Sequence, residues 1–395
     1  MKRMTQASSS RSTRVNVFRR HRRKTLSLTI LLLVLVLDFA AGLLLLPKNY
    51  NNFRESHPFY HHGLLSNRAA VAKWGDGAEY PVFTNSLGLL DEAVREVSLA
   101  TDKYRILVLG DSYTEGLGVP FKDTFVGLLS QKVNRDRVEI LNGAVSSYCP
   151  KLYLQKTKFL VAEVGLHVDE IYVFIDISDI QDEVLYKDFE GSMPTRWATF
   201  RTGLHRFLRE TSFFYGTIQP SLRKRRQAER RAKYRPDYYP PWLDYFWLDN
   251  IYEEAYSDPE FALIRDQWTM SKKRFNSHWV QLGLQSAREK MKDFVRFSKE
   301  RKIKVTLAVY PWPVQIRDGN PDSIQVKIWR EFSRRQKLDF IDLFPTLVTE
   351  NSYEEFRDRY IQRGDIHWTP AGHALVADRV WESMEKSLRG SGILP

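Results

Sequence analysis

The stretch Gly110-Asp111-Ser112-Tyr113-Thr114-Glu115-Gly116 follows the unbroken apolar run Ile106-Leu107-Val108-Leu109. A run this short and this apolar predicts a strand buried on both faces. Open α/β sheets place their chemistry at the carboxyl ends of such strands. A serine there can turn its hydroxyl into a crevice, while the start of the next helix offers amide donors to an anion. The hydroxyl is a poor nucleophile until a neighbouring base takes its proton. Imidazole suits that task because its pKa lies near working pH. A carboxylate on the other ring nitrogen fixes the tautomer and stabilises the imidazolium. The competing reading is a plain strand-to-helix turn in which Asp111 or Ser112 only caps the helix.

The Gly-Asp-Ser word resembles block I of the SGNH (GDSL) hydrolases. A second word, Gly364-Asp365-Ile366-His367-Trp368-Thr369-Pro370-Ala371-Gly372-His373, resembles their block V. The two stand about 250 residues apart, in the family's order. The resemblance implies Ser112 as nucleophile, His367 as base and Asp365 as the residue that orients it. It also implies a flavodoxin-like three-layer α/β/α fold without cofactor or metal. The Asp-x-His-Trp spacing resembles the alginate O-acetyltransferase-like branch, whose members move or remove acetyl groups on exported polysaccharides. Asp339 and Asp342 stay open as alternative orienters, and His373 reads as a structural residue at a helix start. Asn142-Gly143 looks like block II. There the Gly143 N–H, with that of Ser112, is expected in the oxyanion hole, since glycine lets backbone approach substrate closely; a strand-end turn is the alternative. Block III departs from the family pattern. Asp176 stands where the family has Gly, and Ser178 where it has the donating Asn, so Ser178 is the expected third donor, with a shorter reach.

These residues need a scaffold. Strands are expected at 106–109, 138–141, 170–175, 304–309 and 338–343. Helices are expected at 124–133, 153–164, 279–301, 324–336 and 371–388, with 354–361 leading into Asp365. Strands alternating with helices predict a parallel, doubly covered sheet of about five strands. Residues 184–277 interrupt the alternation as a helical insertion within an SGNH-like domain spanning 104–395. The insertion is rich in aromatic and basic residues, with Tyr238-Tyr239-Pro240-Pro241-Trp242 and Tyr245-Phe246-Trp247 near its end. It reads as a lid that stacks on sugar rings, as an amphipathic patch on anionic lipid, or as a solvated basic helix.

Charge separates the N-terminus from the rest. Residues 1–24 carry nine Lys/Arg and no acid, so most of the net charge of +12 sits there. A basic tail before an apolar run points to membrane orientation rather than nucleic acid. Residues 25–47 supply about the 20 apolar positions that a spanning helix requires. An uncleaved anchor in a bacterial inner membrane is expected, with the tail cytoplasmic and the remainder periplasmic or otherwise extracytoplasmic; a cleaved signal peptide is the rival. Asp38 inside that span is either tolerated in protonated or snorkelling form, or pairs with a membrane-protein partner. A lead-in segment, 48–103, is expected against the sheet edge. Its His57-Pro58-Phe59-Tyr60-His61-His62 cluster lacks Cys or carboxylate at ligand spacing, so no metal is expected. The lone Cys149 reads as a buried small hydrophobe.

Together these readings predict a membrane-anchored serine esterase or O-acyltransferase acting on an acylated glycan or small ester. A non-catalytic glycan-binding or envelope-assembly protein is the alternative, and a lipase or thioesterase a third possibility.

Overall fold

The computed structural model describes residues 21–46, 52–75, 77–233, 258–348 and 352–394. The basic tail through residue 20 and the aromatic words at 238–247 lie outside them. The chain forms two compact units. One contains the Arg22–Leu45 helix with Thr195–Arg230, and the other contains Asn49–Pro194 with Arg231–Pro395.

The larger unit is built on an eight-stranded sheet. Its strands are β3 (Ala69–Ala72), β4 (Tyr80–Thr84), β5 (Leu90–Asp91), β6 (Tyr104–Leu109), β7 (Val138–Asn142), β8 (Glu170–Ile175), β9 (Lys304–Val309) and β10 (Asp339–Asp342). The preceding β1 (Arg54–His57) and β2 (His61–Leu64) pair only with each other. The sheet order is β10-β9-β8-β6-β7-β5-β4-β3. From β10 to β7 all pairs are parallel, as expected for five buried strands, and β5, β4 and β3 extend the sheet antiparallel. Ile106 to Leu109 and Ile171 to Ile175 are fully buried, which is why these strands read as continuous apolar runs.

Register sets where the site can be. Leu109 pairs with Val173, Val108 with Asn142, and Ile175 with Val309. Residues 110–112, 143, 176 and 310 therefore follow the carboxyl ends of adjacent strands. The sheet is wider than expected because the lead-in segment supplies β3, β4 and β5. These strands are short, with β3 mostly alanine, β4 carrying Pro81 and β5 only two residues long, so they give little strand signal in the sequence. The histidine word makes the β1–β2 turn. The His57 ring stacks on Tyr60 at 3.7 Å, and His62 Nε2 lies 2.8 Å from the Ser146 carbonyl.

In the smaller unit, Arg22–Leu45 is a single helix of 24 residues, long and apolar enough to cross a membrane. Arg196–Thr211 and Phe213–Lys233 are the helices of the insertion. Thr195 caps the first of these, accepting the Ala198 N–H.

Candidate active site

Ser112 opens a four-residue helix directly after β6. Asp111 caps that helix, accepting the Tyr113 N–H at 3.0 Å. Gly110 cannot carry a side chain, because a Cβ there would lie 2.2 Å from Thr114 Oγ1. Gly116, at φ +85°, ends the helix in a left-handed turn that glycine adopts without strain.

His367 comes to this serine from 255 residues away, with Nε2 2.9 Å from Ser112 Oγ. Its Nδ1 lies 3.0 Å from Asp365 Oδ1. The His367 loop is fastened to the serine loop from several sides. Tyr113 donates its hydroxyl to the Ile366 carbonyl at 2.6 Å. Gln362 donates to the carbonyls of Leu117 and Trp368 at 2.6 and 2.9 Å. The Tyr113 and Trp74 rings pack on the imidazole at 4.9 and 5.4 Å. Trp368 is buried against Tyr113 and Tyr310.

Asp365 is held by more than the histidine. It also accepts the Ile366 N–H at 2.6 Å and the Trp74 indole N–H. Burial would raise this carboxyl. The His367 hydrogen bond and charge, with the two further donors, outweigh it and hold Asp365 at about 2. Asp339 and Asp342 lie elsewhere, paired with Lys304 and Arg330. His373 accepts the Phe125 N–H at 3.2 Å and packs on Trp368; burial pushes it down to about 3.

Behind Ser112 lies a group of buried carboxyls. Ser112 Oγ is 3.2 Å from Asp111 Oδ2, and Tyr310 donates to Asp111 Oδ1 at 2.5 Å. Asp176 accepts the Trp312 indole N–H at 2.5 Å. Burial first, then the neighbouring Asp176, raises Asp111. Asp111 is thereby driven toward its neutral form, which leaves the imidazole to accept the Ser112 proton.

Two expected oxyanion donors are corrected. The Gly143 N–H donates to the Val108 carbonyl at 2.8 Å, continuing the β6–β7 ladder. A Cβ at 143 would sit 3.0 Å from Leu107 and 3.1 Å from Leu109, so glycine serves packing there. Ser178 is fully buried, and its hydroxyl donates to Asp176 Oδ1 at 2.8 Å. The Asp176 carboxylate also takes the N–H groups of Ser178 and Asp179, capping the Asp179–Leu185 helix. The Ser112 N–H meets no acceptor among the described residues.

Sequence reasoning missed Trp74, Gln362 and Tyr310. Tyr113 sits inside the Gly-Asp-Ser word and could have been found there, whereas Trp74 lies in a segment with no chemical signal around it. Cys149 is buried, as a small hydrophobe would be. Among the described residues, no group of three His, Cys, Asp or Glu side chains could hold a metal ion.

No protein-family model matches the sequence, and no curated protein matches it. Among solved structures the chain is similar to a lipase/acylhydrolase from Enterococcus faecalis, with 12% identity, TM-score 0.37 and coverage of 72% of this chain and 96% of that one. It is also similar to an acetylxylan esterase from Geobacillus stearothermophilus, with 11% identity, TM-score 0.37 and coverage of 72% and 95%. A third is a GDSL-like lipase from Bacteroides thetaiotaomicron, with 12% identity, TM-score 0.36 and coverage of 74% and 93%. Similarity of this degree does not carry an activity from one protein to another.

Proposed function

We propose that this protein is a membrane-anchored serine esterase or O-acyltransferase of the SGNH type, working through an acyl-enzyme on Ser112. The observation that carries the reading is the 2.9 Å approach of His367 Nε2 to Ser112 Oγ, with Asp365 on the far ring nitrogen. His367 takes the Ser112 proton as Oγ attacks the ester carbonyl, then returns it to the leaving alkoxide. Asp365 holds the ring in the tautomer that leaves Nε2 free. Water or a sugar hydroxyl then attacks the acyl-enzyme, giving hydrolysis or transfer. The Ser112 N–H is one oxyanion donor. Ser147 is proposed as the second. It is held at φ +60°, a strained position for a non-glycine residue, and its N–H has no acceptor among the described residues. Its neighbour Ser146 donates both N–H and Oγ to Glu115 at 2.7 Å, tying this loop to the Ser112 helix.

The acyl group proposed is acetyl and the carrier an envelope glycan, supported by the Asp365-Ile366-His367-Trp368 word. The basic tail and the Arg22–Leu45 helix support a single-pass anchor in a bacterial inner membrane, tail cytoplasmic and the larger unit periplasmic.

One observation favours the alternative, a non-catalytic glycan-binding or assembly protein: Gly143 and Ser178 are both committed to other partners. Turnover of p-nitrophenyl acetate by the full chain in detergent separates the two. The proposal expects Ser112→Ala to lower kcat/KM by about three orders of magnitude or more. Equal rates for wild type and variant would leave only the binding protein. Acetylated oligosaccharide with and without a hydroxyl acceptor then distinguishes transfer from hydrolysis.

A further inference from the structure

The smaller unit has an apolar surface that none of this chemistry uses. Trp197, Phe200, Leu204 and Phe207 recur at helical spacing along Arg196–Thr211 and are 45–70% exposed. Phe214, Ile218 and Leu222 continue the stripe along the next helix, at 46–58%. After Leu222 the sequence turns basic, with Arg223, Lys224, Arg225, Arg226, Arg230, Arg231 and Lys233 against the single acid Glu229.

The same helices are built onto the apolar Arg22–Leu45 helix, whose buried residues are Asp38 and Gly42. Asp38 Oδ1 accepts the Phe214 N–H at 2.8 Å. Gly42 allows the close approach, since a Cβ there would lie 2.0 Å from the Thr211 carbonyl oxygen. A Cβ at Gly216 would meet the Leu46 side chain at 2.8 Å, and Phe39 packs on Phe207 at 5.9 Å. Asp38 precedes the end of its helix by seven residues, or about 10 Å at 1.5 Å per residue. If that helix spans the bilayer, the start of the Phe213–Lys233 helix lies within the hydrocarbon of the outer leaflet.

We infer that residues 195–222 are a second membrane element, embedded in the outer leaflet beside the anchor, with the bilayer covering the Trp197–Leu222 stripe and anionic headgroups meeting the basic run that follows. Continuity selects lipid as the occupant, because the stripe adjoins a helix whose exposed side chains from Ile30 to Leu45 are all apolar. Asp38 and the Phe214 N–H then explain each other. A carboxylate in hydrocarbon needs a donor, and a helix start in hydrocarbon needs an acceptor. The inference rests on the reading of Arg22–Leu45 as a spanning helix.

The test uses the full chain in vesicles of zwitterionic and anionic phospholipid. Cys149 is buried, so introduced cysteines can be labelled with an environment-sensitive fluorophore. Reporters are placed at Phe200→Cys and Ile218→Cys, at Leu33→Cys within the anchor, and at the exposed Asp378→Cys of the larger unit. Doxyl-labelled lipids are the quenchers. The inference expects blue-shifted, strongly quenched emission at positions 200 and 218 by the shallow quencher, deep quenching at 33, and none at 378. Quenching at 33 with water-like emission at both 200 and 218 overturns the inference and leaves the anchor standing. Absence of quenching at 33 overturns both. Asp38→Leu is expected to reduce quenching at 200 and 218, and Asp38→Asn, which keeps an acceptor oxygen, to preserve it.

Discussion

Ser112 Oγ has two acceptors within reach, His367 Nε2 at 2.9 Å and Asp111 Oδ2 at 3.2 Å. Which one takes its proton decides whether the residue can do covalent chemistry, and the buried, neutral-leaning Asp111 yields that role to the imidazole. Asp365 is the counterpart, kept ionised by three hydrogen bonds. Asp365→Asn should leave the fold intact and lower kcat about 10⁴-fold, because the amide can present N–H to Nδ1 and favour the wrong tautomer. Trp74→Phe removes one donor from Asp365. It should lower kcat about tenfold, with KM little changed, and raise the Asp365 pKa from about 2 toward its usual 3.8. The acid limit of activity governed by this carboxylate would then move upward, as a pH–rate profile of the variant would show.

At the scale of elements, five strands and their helices could be read from pattern because runs such as Ile106–Leu109 and Ile171–Ile175 are short, apolar and buried. Glu170–Ile175, Lys304–Val309 and Ile324–Gln336 have the expected bounds. The Ser112, Asp365 and His367 words were legible too, since each is local in sequence. The roles of Gly143 and Ser178 were not. The strand expected at 138–141 runs on through Asn142, and that added residue draws the Gly143 N–H into the ladder. Asp176, in place of a glycine, adds a carboxylate that captures the Ser178 hydroxyl, and this could be seen only once the Asp179–Leu185 helix was in place. Trp74 was illegible because its partner Asp365 is 291 residues away. Ser178→Ala should therefore keep kcat within a few-fold of wild type, whereas loss of an oxyanion donor would cost about 10²–10³-fold. Gln362→Ala, which cuts one tie between the loops and one within the His367 loop, should lower kcat without removing any reacting group.

The whole molecule pays for its buried carboxyls in pH-dependent stability. Burial lifts Asp182 to about 7, against the pull of Arg265 at 3.3 Å. Unfolded, the same group ionises near 3.8. Between these values the folded chain binds the extra proton, so stability is full below about pH 4 and falls as pH rises toward 7. The shift corresponds to a loss on the order of 4 kcal/mol, at about 1.4 kcal/mol per unit. Thermal unfolding of Asp182→Asn across pH 4–8 should show a flatter decline in Tm than wild type, because the amide has no proton to lose.

The central claim joins two words far apart in the chain into one reacting pair. Its most direct measurement is the rate at which a fluorophosphonate phosphorylates the full-length protein, with the adduct located by mass spectrometry. The account predicts a single adduct on Ser112, formed at least about a hundredfold more slowly in His367→Ala because the hydroxyl has lost its base. No adduct on Ser112, or an adduct formed equally fast without the imidazole, would contradict it.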